Sequence, residues 1–137
     1  MKLTYDDHCF GCGQANLNGI KLSFDLGDST ASTDFVAGDE HQSWTGIVHG
    51  GIVALALDEA IGWAAVAAGR PGVTGRLEIR FHQPLATGQR VKLTGQVDSI
   101  KRSLVFASAR MQRTSDDVLV AEAKATLMQM DTTGIEQ

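Results

Sequence analysis

The sequence is poor in cysteine and has no excess of positive charge. Two cysteines among 137 residues are too few for a disulfide framework. A formal net charge of −4 argues against binding to nucleic acid through bulk charge. The opening residues, MKLTYDDHCF, contain no apolar core of a secretory signal, which predicts a reducing, cytoplasmic location. Without repeats or linkers, residues 1–137 are expected to form one domain, with a C-x-x-C loop segment at 1–18.

One long apolar segment stands among stretches in which apolar and polar residues alternate. It runs from Gly50 to about Gly69 and predicts a helix that is buried on all sides. Alternation with a period of two predicts half-buried strands. These strands cover residues 19–26, 30–37, 73–85, 89–100, 104–113 and 118–130. Short connections join the last four strands and predict that they are antiparallel neighbours.

This order of elements predicts an α+β protein. The helix is the one element able to cover the sheet, so we expect a curved antiparallel sheet wrapped around one long buried helix, the hotdog fold. A β-sandwich with an additional helix is the alternative, but it would leave the helix incompletely covered. A membrane span over residues 47–68 is disfavoured, because Asp58 and Glu59 at its middle would cost several kcal/mol in lipid. We therefore expect neither a membrane nor a nucleic acid as partner.

The start of the predicted helix is suited to bind an oxygen that gains negative charge. Its first amide groups have no partner within the helix, and a glycine at Gly50 lets a ligand approach the backbone. Asp58 lies about 12 Å further along the axis, so the two groups of one chain cannot act on the same carbonyl. Either they are unrelated, or two copies meet with antiparallel helices. The second alternative predicts a composite site in a dimer, where Gly50 of one copy faces Asp58 of the other.

The adjacent carboxylates Asp58 and Glu59 cannot face the same groove, since neighbouring helix positions point about 100° apart. A carboxylate in an apolar helix can attack a carbonyl or take a proton from water. Alternatively, it can pair with a cationic residue of the following strand, Arg76, Arg80 or His82. The residues by themselves leave both alternatives open.

Three motifs, in this order, resemble a known family. GIVHGGIVALALDEA at 46–60 resembles the H-G-G motif and helix of hotdog-fold acyl-CoA thioesterases of the phenylacetyl-CoA thioesterase (PaaI) type. In that family an Asp lies nine residues after the motif His, as Asp58 does after His49. CFGCGQANLNGI at 9–20 matches an N-terminal signature of some members, C-F-G-C-G-x-x-N-x-x-G-[LI]. TGRLEIRFHQP at 74–84 matches their pattern T-x-x-L-x-I-x-[YF]-x-x-P.

The resemblance implies hydrolysis of an acyl-CoA thioester to a free acid and CoA, with no metal and no organic cofactor. It implies that the Gly50 N–H polarises the carbonyl, that His49 shapes this turn or donates a hydrogen bond, and that Asp58 of the partner chain is the nucleophile or the general base. Thr74 matches a strand hydroxyl that helps to position the water. Ser43 stands where many relatives carry Asn, and it offers one short hydroxyl in place of an amide.

Thr74 conflicts with simple alternation along its strand. Alternation places it on the polar face together with Arg76 and Glu78. Thr74 can turn toward the site only if Gly75 forms a bulge or a bend. A catalytic Thr74 therefore predicts a bulge at this position.

Five further residues are predicted to contact acyl-CoA. The phosphates of CoA call for cationic groups, for which Lys101 and Arg102 in a turn and Arg80 on a strand are candidates. Gly51 at the helix start and Trp44 in the preceding loop are assigned to the substrate as well. The assembly implied by the resemblance is a homodimer, extended to a dimer of dimers.

The segment HCFGC leaves three alternatives open. Cys9 and Cys12 have the spacing of half a zinc site, and His8 is adjacent. A structural loop, a metal site and a redox pair are all compatible with this spacing. The loop is favoured, because structural zinc takes four ligands and the sequence has no second cysteine pair.

Two other functions fit the predicted fold. The first is hydration or dehydration of an acyl thioester, but the G-D-x-N-P-x-H-like motif of such hydratases is missing from the sequence. The second is non-catalytic binding of an acyl group or of CoA, which Ser43 in place of Asn keeps open. Release of free thiol distinguishes a hydrolase from both.

Overall fold

The computed structural model describes residues 2–133, so the predicted domain 1–137 extends slightly beyond it at both ends. These residues form one six-stranded sheet, one two-stranded sheet and one long helix. The elements are β1 (Lys2–Thr4), β2 (Asp25–Leu26), β3 (Thr30–Val36), the 3₁₀ helix η1 (Asp39–His41), α1 (Gly50–Ala67), β4 (Gly72–Phe81), β5 (Arg90–Lys101), β6 (Leu104–Arg113), β7 (Leu119–Gln129) and β8 (Asp131–Thr133).

The six-stranded sheet is antiparallel throughout and has the strand order β2-β3-β5-β6-β7-β4. Helix α1 contacts all six of its strands. The buried residues of the helix and the sheet form one hydrophobic cluster. The predicted hotdog fold is thereby confirmed, and the β-sandwich alternative is wrong.

Helix α1 supplies the centre of this core. Leu57 and Ile61 are fully buried, and each contributes roughly 1.5–3 kcal/mol to folding through the loss of apolar surface. The backbones of α1 and β5 come so close that a side chain at Gly95 would collide with the carbonyl oxygen of Ala60. By length and composition α1 could also cross a bilayer, but eight of its residues are buried within the protein. Its apolar character is therefore explained by its place under the sheet.

One predicted neighbour relation is wrong. The strands β5, β6 and β7 do pair in sequence, but β4 pairs with β7 at the far edge of the sheet instead of with β5. The connection 82–89 is longer than a hairpin turn and is held at the end of the sheet, where Val48 donates its N–H to the carbonyl of Leu85. It therefore carries the chain past β7 and β6 before β5 begins.

The predicted strand 19–26 is mostly wrong, because only Asp25 and Leu26 lie in a strand. Within residues 19–24 the backbone does not form strand hydrogen bonds of the sheet. Leu22 donates its N–H to the carbonyl of Gly11 in the C-x-x-C loop, and Lys21 has a φ of 53°, which is outside the range of a strand. Ile20, Leu22 and Phe24 thus pack on the hydrophobic cluster without joining the sheet.

The two-stranded sheet was not predicted. Strands β1 and β8 pair in parallel near the two ends of the described chain. Each has three residues, which is too short for alternation to be recognised in the sequence.

Strand β4 ends at Phe81, earlier than the predicted residue 85, and its apolar side chains remain open. Val73, Leu77 and Phe81 are 38%, 37% and 54% exposed, whereas apolar residues of the central strands β5, β6 and β7 are largely buried. Within residues 2–133, β4 pairs along one edge only. Its other edge presents unpaired backbone groups beside an apolar surface.

Candidate active site

In the part of the chain that the structure describes, the start of helix α1 presents one unpaired backbone donor. His49 is the N-cap, and its Nδ1 accepts the N–H of Gly51 at 2.8 Å. The carbonyl oxygen of His49 accepts from Ile52 and Val53. Among the described residues none accepts the N–H of Gly50, which is exposed. Capping by His49 therefore leaves the Gly50 amide as the donor available to a ligand.

An open groove of about 470 Å³ lies beside this helix start. Gly51 and His49 line it on the polar side, and Phe10, Ile52 and Leu55 give it apolar walls. Such a combination of apolar walls and a few polar groups is typical of small-molecule sites.

Asp58 faces β4 and accepts a hydrogen bond from the Thr74 hydroxyl at 2.8 Å. The register of β4 against β7 shifts between Thr74 and Arg76, which is the bulge that this orientation requires. Thr74 thereby leaves the face that alternation assigns to it and turns toward the helix. The hydrogen bond fixes the direction of the Asp58 carboxylate.

The two predicted halves of the site lie at opposite ends of β4. A methyl group at Gly50 would be 3.7 Å from the Phe81 ring, so the helix start lies at the end of the strand. Asp58 lies beside Thr74, near the beginning of the strand. Along the helix the two groups are about 12 Å apart. Within one chain, the structure does not bring the amide and the carboxylate together.

Glu59 points away from Asp58, toward the C-x-x-C loop. Its Oε1 lies 3.3 Å from Cys9 Sγ, and Cys12 is close by. Burial raises the pKa of Glu59 above its ordinary value, and burial likewise raises the pKa of Cys12 to about 12. This small cluster was missed in the sequence, because only the fold brings residues 9, 12 and 59 together.

Within residues 2–133, neither carboxylate of α1 pairs with a cationic residue of the following strand, so this alternative is wrong. Asp58 bonds to Thr74, and Glu59 contacts the cysteine loop. His82 lies just past the end of the strand and pairs with Glu122 of β7 at 2.9 Å.

The loop before the helix holds two of the predicted site residues. Ser43 is exposed, and its hydroxyl lies 3.5 Å from the carbonyl oxygen of Ile47 within the same loop. Trp44 is 83% exposed and lines none of the grooves described here. In one chain, these two residues do not join Asp58 and Thr74.

The predicted phosphate-binding residues lie on two parts of the sheet. Both predicted residues at the β5–β6 connection are exposed: Lys101 is the last residue of β5, and Arg102 lies in the turn that leads to β6. The register of the strands places this turn at the same end of the sheet as Thr74, since Thr74 pairs with Leu127, Leu127 with Val105 and Val105 with Ile100. Three strand spacings separate β4 from β5, which is about 14 Å. Arg80 lies at the opposite end of β4, next to Phe81 and the helix start.

His41 lines the groove and was not predicted to contact the substrate. Its Nδ1 is buried, and no residue of the described part of the chain forms a hydrogen bond with it. Phe10, from the C-x-x-C loop, was missed as well, although it supplies an apolar wall. No spacing rule connects either residue to the H-G-G motif, since folding alone places them beside it.

Known proteins resemble this chain in sequence. The profile of the thioesterase superfamily matches residues 45–126. Mouse acyl-coenzyme A thioesterase THEM4 is 29% identical over 97 residues, which are 71% of this chain and 42% of that protein. Human acyl-coenzyme A thioesterase 13 is 27% identical over 90 residues, which are 64% of each protein. The chain thus spans about two-fifths of the length of the first of these relatives.

Solved structures share its fold. A thioesterase superfamily protein superposes with a TM-score of 0.84 at 22% identity, covering 90% of this chain and 61% of that one. A protein of Streptococcus mutans, solved with acetyl CoA bound, superposes with a TM-score of 0.75 at 16% identity, covering 86% and 97%. The superfamily profile covers more than half of the sequence and includes the helix, Asp58 and Thr74. The chain belongs to the thioesterase superfamily.

Proposed function

We propose that the protein hydrolyses acyl-CoA thioesters to a free acid and CoA. The observation that carries this proposal is the carboxylate of Asp58, held by Thr74 at 2.8 Å in a helix whose one other charged side chain, Glu59, points away toward the C-x-x-C loop. The superfamily and the names of the relatives, which are acyl-coenzyme A thioesterases, support the same reaction.

The active site is composite and forms between two copies of the chain. The free edge of β4 can pair with the same edge of a second copy around a two-fold axis. With a two-fold axis near the middle of β4 (Gly72–Phe81), the end of the strand that carries Phe81 in one copy lies beside the end that carries Thr74 in the other, because the two copies of β4 run antiparallel. Gly50, beside Phe81, then approaches Asp58 of the second copy. The exposed apolar side chains of β4 support this contact. A dimer of dimers remains a prediction.

The reaction follows from these positions. The Gly50 N–H donates to the thioester oxygen, which gains negative charge as the carbonyl carbon is attacked, and one such donor contributes about 10²–10³-fold in rate. Asp58 either takes a proton from the water that attacks the carbon, or attacks the carbon itself and forms an acyl–aspartyl anhydride, which a water molecule then hydrolyses to the free acid. Thr74 orients the carboxylate and the water. In both routes the C–S bond breaks, and CoA leaves as a thiol after taking up a proton.

The substrate extends from this point in two directions. The apolar walls formed by Phe10, Ile52 and Leu55 suit the acyl group. Lys101 at the end of β5 and Arg102 in the following turn suit the phosphates of CoA, as cationic side chains bind phosphate oxygens. Binding of acetyl CoA to the S. mutans protein supports CoA as the carrier. We place the protein in the cytoplasm, where its two free cysteines stay reduced.

The test is release of free thiol from a panel of aryl- and fatty-acyl-CoAs by the native protein, Gly50→Pro and Gly50→Ala. Proline at the first helical position removes the N–H and is compatible with His49 at φ −59° and ψ 132°. Alanine keeps the N–H and is the matched control. We expect turnover by the native protein and a further loss of about 10²–10³-fold on going from Gly50→Ala to Gly50→Pro, since alanine reports the steric effect of a Cβ and proline removes the N–H as well. Absence of thiol release with every substrate would overturn the proposal in favour of a binding module or a hydratase.

Mixed dimers test the composite site. Gly50→Pro and Asp58→Asn chains are unfolded and refolded together, so that a mixed dimer has one intact site and one doubly altered site. Random mixing makes half of the dimers mixed, and we expect about one quarter of the native activity to return. No recovery, with mixed dimers demonstrated by mass spectrometry, would show that Gly50 and Asp58 do not act across the interface.

A further inference from the structure

The C-x-x-C loop and helix α1 form a group of metal-ligating atoms outside the site described above. Cys9, Cys12 and Glu59, which we call the Cys–Glu cluster, place their Sγ and carboxylate oxygen atoms within 4.8 Å of one another. Cys12 is 8% exposed, and Cys9 and Glu59 are partly buried. The proposed thioesterase reaction uses none of these three groups.

The loop is shaped around the Cys9 sulfur. Gly11 donates its N–H to Cys9 Sγ at 3.3 Å, and Gly13 donates to the Cys9 carbonyl at 2.9 Å. A backbone N–H directed at a sulfur stabilises the negative charge of a thiolate ligand. The Tyr5 hydroxyl lies 3.4 Å from Cys12 Sγ and can do the same for the second sulfur.

Glycine at position 11 is required by the position of Glu59. A side chain at Gly11 would collide with Cγ and the carboxyl carbon of Glu59, so the carboxylate lies directly over the loop backbone. The absence of a side chain at Gly11 therefore leaves a space that the Glu59 carboxylate fills. In this position the carboxylate lies beside the two sulfurs as a third potential ligand. Residues 50 positions apart in the sequence converge in this way.

We propose that Cys9, Cys12 and Glu59 bind one zinc ion, which ties the N-terminal loop to the central helix. With Zn–S and Zn–O distances of about 2.3 and 2.0 Å, tetrahedral coordination places sulfur and oxygen about 3.5 Å apart. The distance of 3.3 Å between Cys9 Sγ and Glu59 Oε1 is close to this value. On binding, Zn²⁺ displaces the two thiol protons, and Glu59 coordinates as a carboxylate.

The fold supplies Glu59 as a third protein ligand in place of a second cysteine pair, and a water molecule completes the four positions that zinc takes. A cavity of about 170 Å³ borders the cluster and is lined by Tyr5 and Trp63 in addition to the three ligands. Two thiolates and a carboxylate favour zinc over magnesium or calcium, which prefer ligand sets made of oxygen alone. A disulfide between the two cysteines would need an external oxidant and would leave Glu59 without a role.

The experiment measures metal in the whole protein. The native chain, kept reduced, is stripped with a chelator, dialysed against buffered Zn²⁺ or Co²⁺ and analysed for metal content and absorption. We expect one metal ion per chain and, with Co²⁺, a sulfur-to-cobalt charge-transfer band. The matched control is His8→Ala, which removes an exposed potential ligand next to Cys9 and should keep both signals.

Three variants test the ligands. Cys9→Ser and Cys12→Ser should lose stoichiometric zinc and the charge-transfer band. Glu59→Gln keeps the size of the side chain, so it tests the site even if the cysteine variants fail to fold. It should keep the sulfur-to-cobalt charge-transfer band, because both sulfurs remain. It should change the visible cobalt bands and weaken zinc binding by about tenfold or more. The proposal is overturned if the reduced native protein takes up no stoichiometric zinc, if the cysteine variants retain it, if Glu59→Gln binds it unchanged, or if the cysteines are found as a disulfide that excludes metal.

Discussion

Asp58 and Glu59 are neighbours on one helix, yet their surroundings differ completely. Asp58 faces the edge strand β4 and receives one hydrogen bond, from Thr74. Glu59 faces the N-terminal loop, lies over Gly11 and contacts Cys9. An angular difference of about 100° between adjacent helix positions is sufficient to send them to different parts of the molecule.

The comparison shows how one helix can support two kinds of chemistry. Asp58 lies close to an open sheet edge, where a second copy and a substrate can reach it. Burial raises the pKa of Glu59, which disfavours its charge unless a cation compensates it. In our interpretation the first carboxylate serves the reaction and the second serves a metal ion.

The largest effect is expected for Asp58→Asn. Asparagine keeps the size of the side chain but can neither take a proton from water nor attack the thioester, so kcat should fall by about 10³-fold or more. Thiol release from the best acyl-CoA of the panel measures it, with the oligomeric state checked by light scattering. An intact dimer that retains its native kcat would contradict the role of Asp58.

Thr74→Val should have the next largest effect. Valine matches the shape of threonine and removes only the hydroxyl that donates to Asp58. Hydrogen bonds to charged groups contribute about 1.5–3 kcal/mol, so we expect kcat to fall by about 10- to 100-fold. Thr74→Ser keeps the donor and is the control. Equal loss in both variants would indicate a steric effect instead.

Gly11→Ala should destabilise the protein by displacing the carboxylate of Glu59. Its methyl group would displace Glu59 from Cys9, which we expect to lower the free energy of unfolding by about 1–3 kcal/mol. Denaturant unfolding measures this value in the metal-free protein. The double variant with Glu59→Ala removes the collision, so the two changes should be less destabilising together than their sum. Additive effects would show that Gly11 does not make way for Glu59.

The smallest effect is expected in the turn between β5 and β6. Lys101→Ala and Arg102→Ala each remove an exposed cationic group that contributes about 0.2–1 kcal/mol, so the KM for acyl-CoA should rise by a few fold at most. The rise should diminish at high salt and should be absent with a short thioester that lacks the phosphates of CoA. A rise that is equal for both substrates would contradict phosphate binding.

Much of this architecture could be predicted from the sequence, because alternation and apolar runs report burial directly. Helix α1 and strands β3, β5, β6 and β7 lie within a few residues of their predicted bounds. The wrong predictions have physical causes. Residues 19–24 alternate like a strand, but Leu22 uses its N–H for the C-x-x-C loop. The short connection before β5 predicts a hairpin between β4 and β5, but residues 82–89 cross two strands, and β4 lies at an edge of the sheet beside β7.

Some residues of the candidate site could be predicted from the sequence, and others could not. The spacing of His49 and Asp58 could be recognised, and the requirement for a bulge at Gly75 followed from the alternation around Thr74. His41 and Phe10 could not be found, since they reach the groove from two separate segments, the 3₁₀ helix η1 and the C-x-x-C loop. The function of Glu59 was equally hidden, because nothing in the helix indicates what packs against it.

The sequence by itself determined which segments are buried and which reactive groups they contain, because burial and reactivity depend on residue types and their spacing. It therefore defined the helix, its two carboxylates and the glycines at its start. Only the tertiary structure decided which partner each carboxylate meets. Contacts between residues 58 and 74, or between 59 and 9, depend on a strand bulge and a loop path, which arise when distant segments pack together.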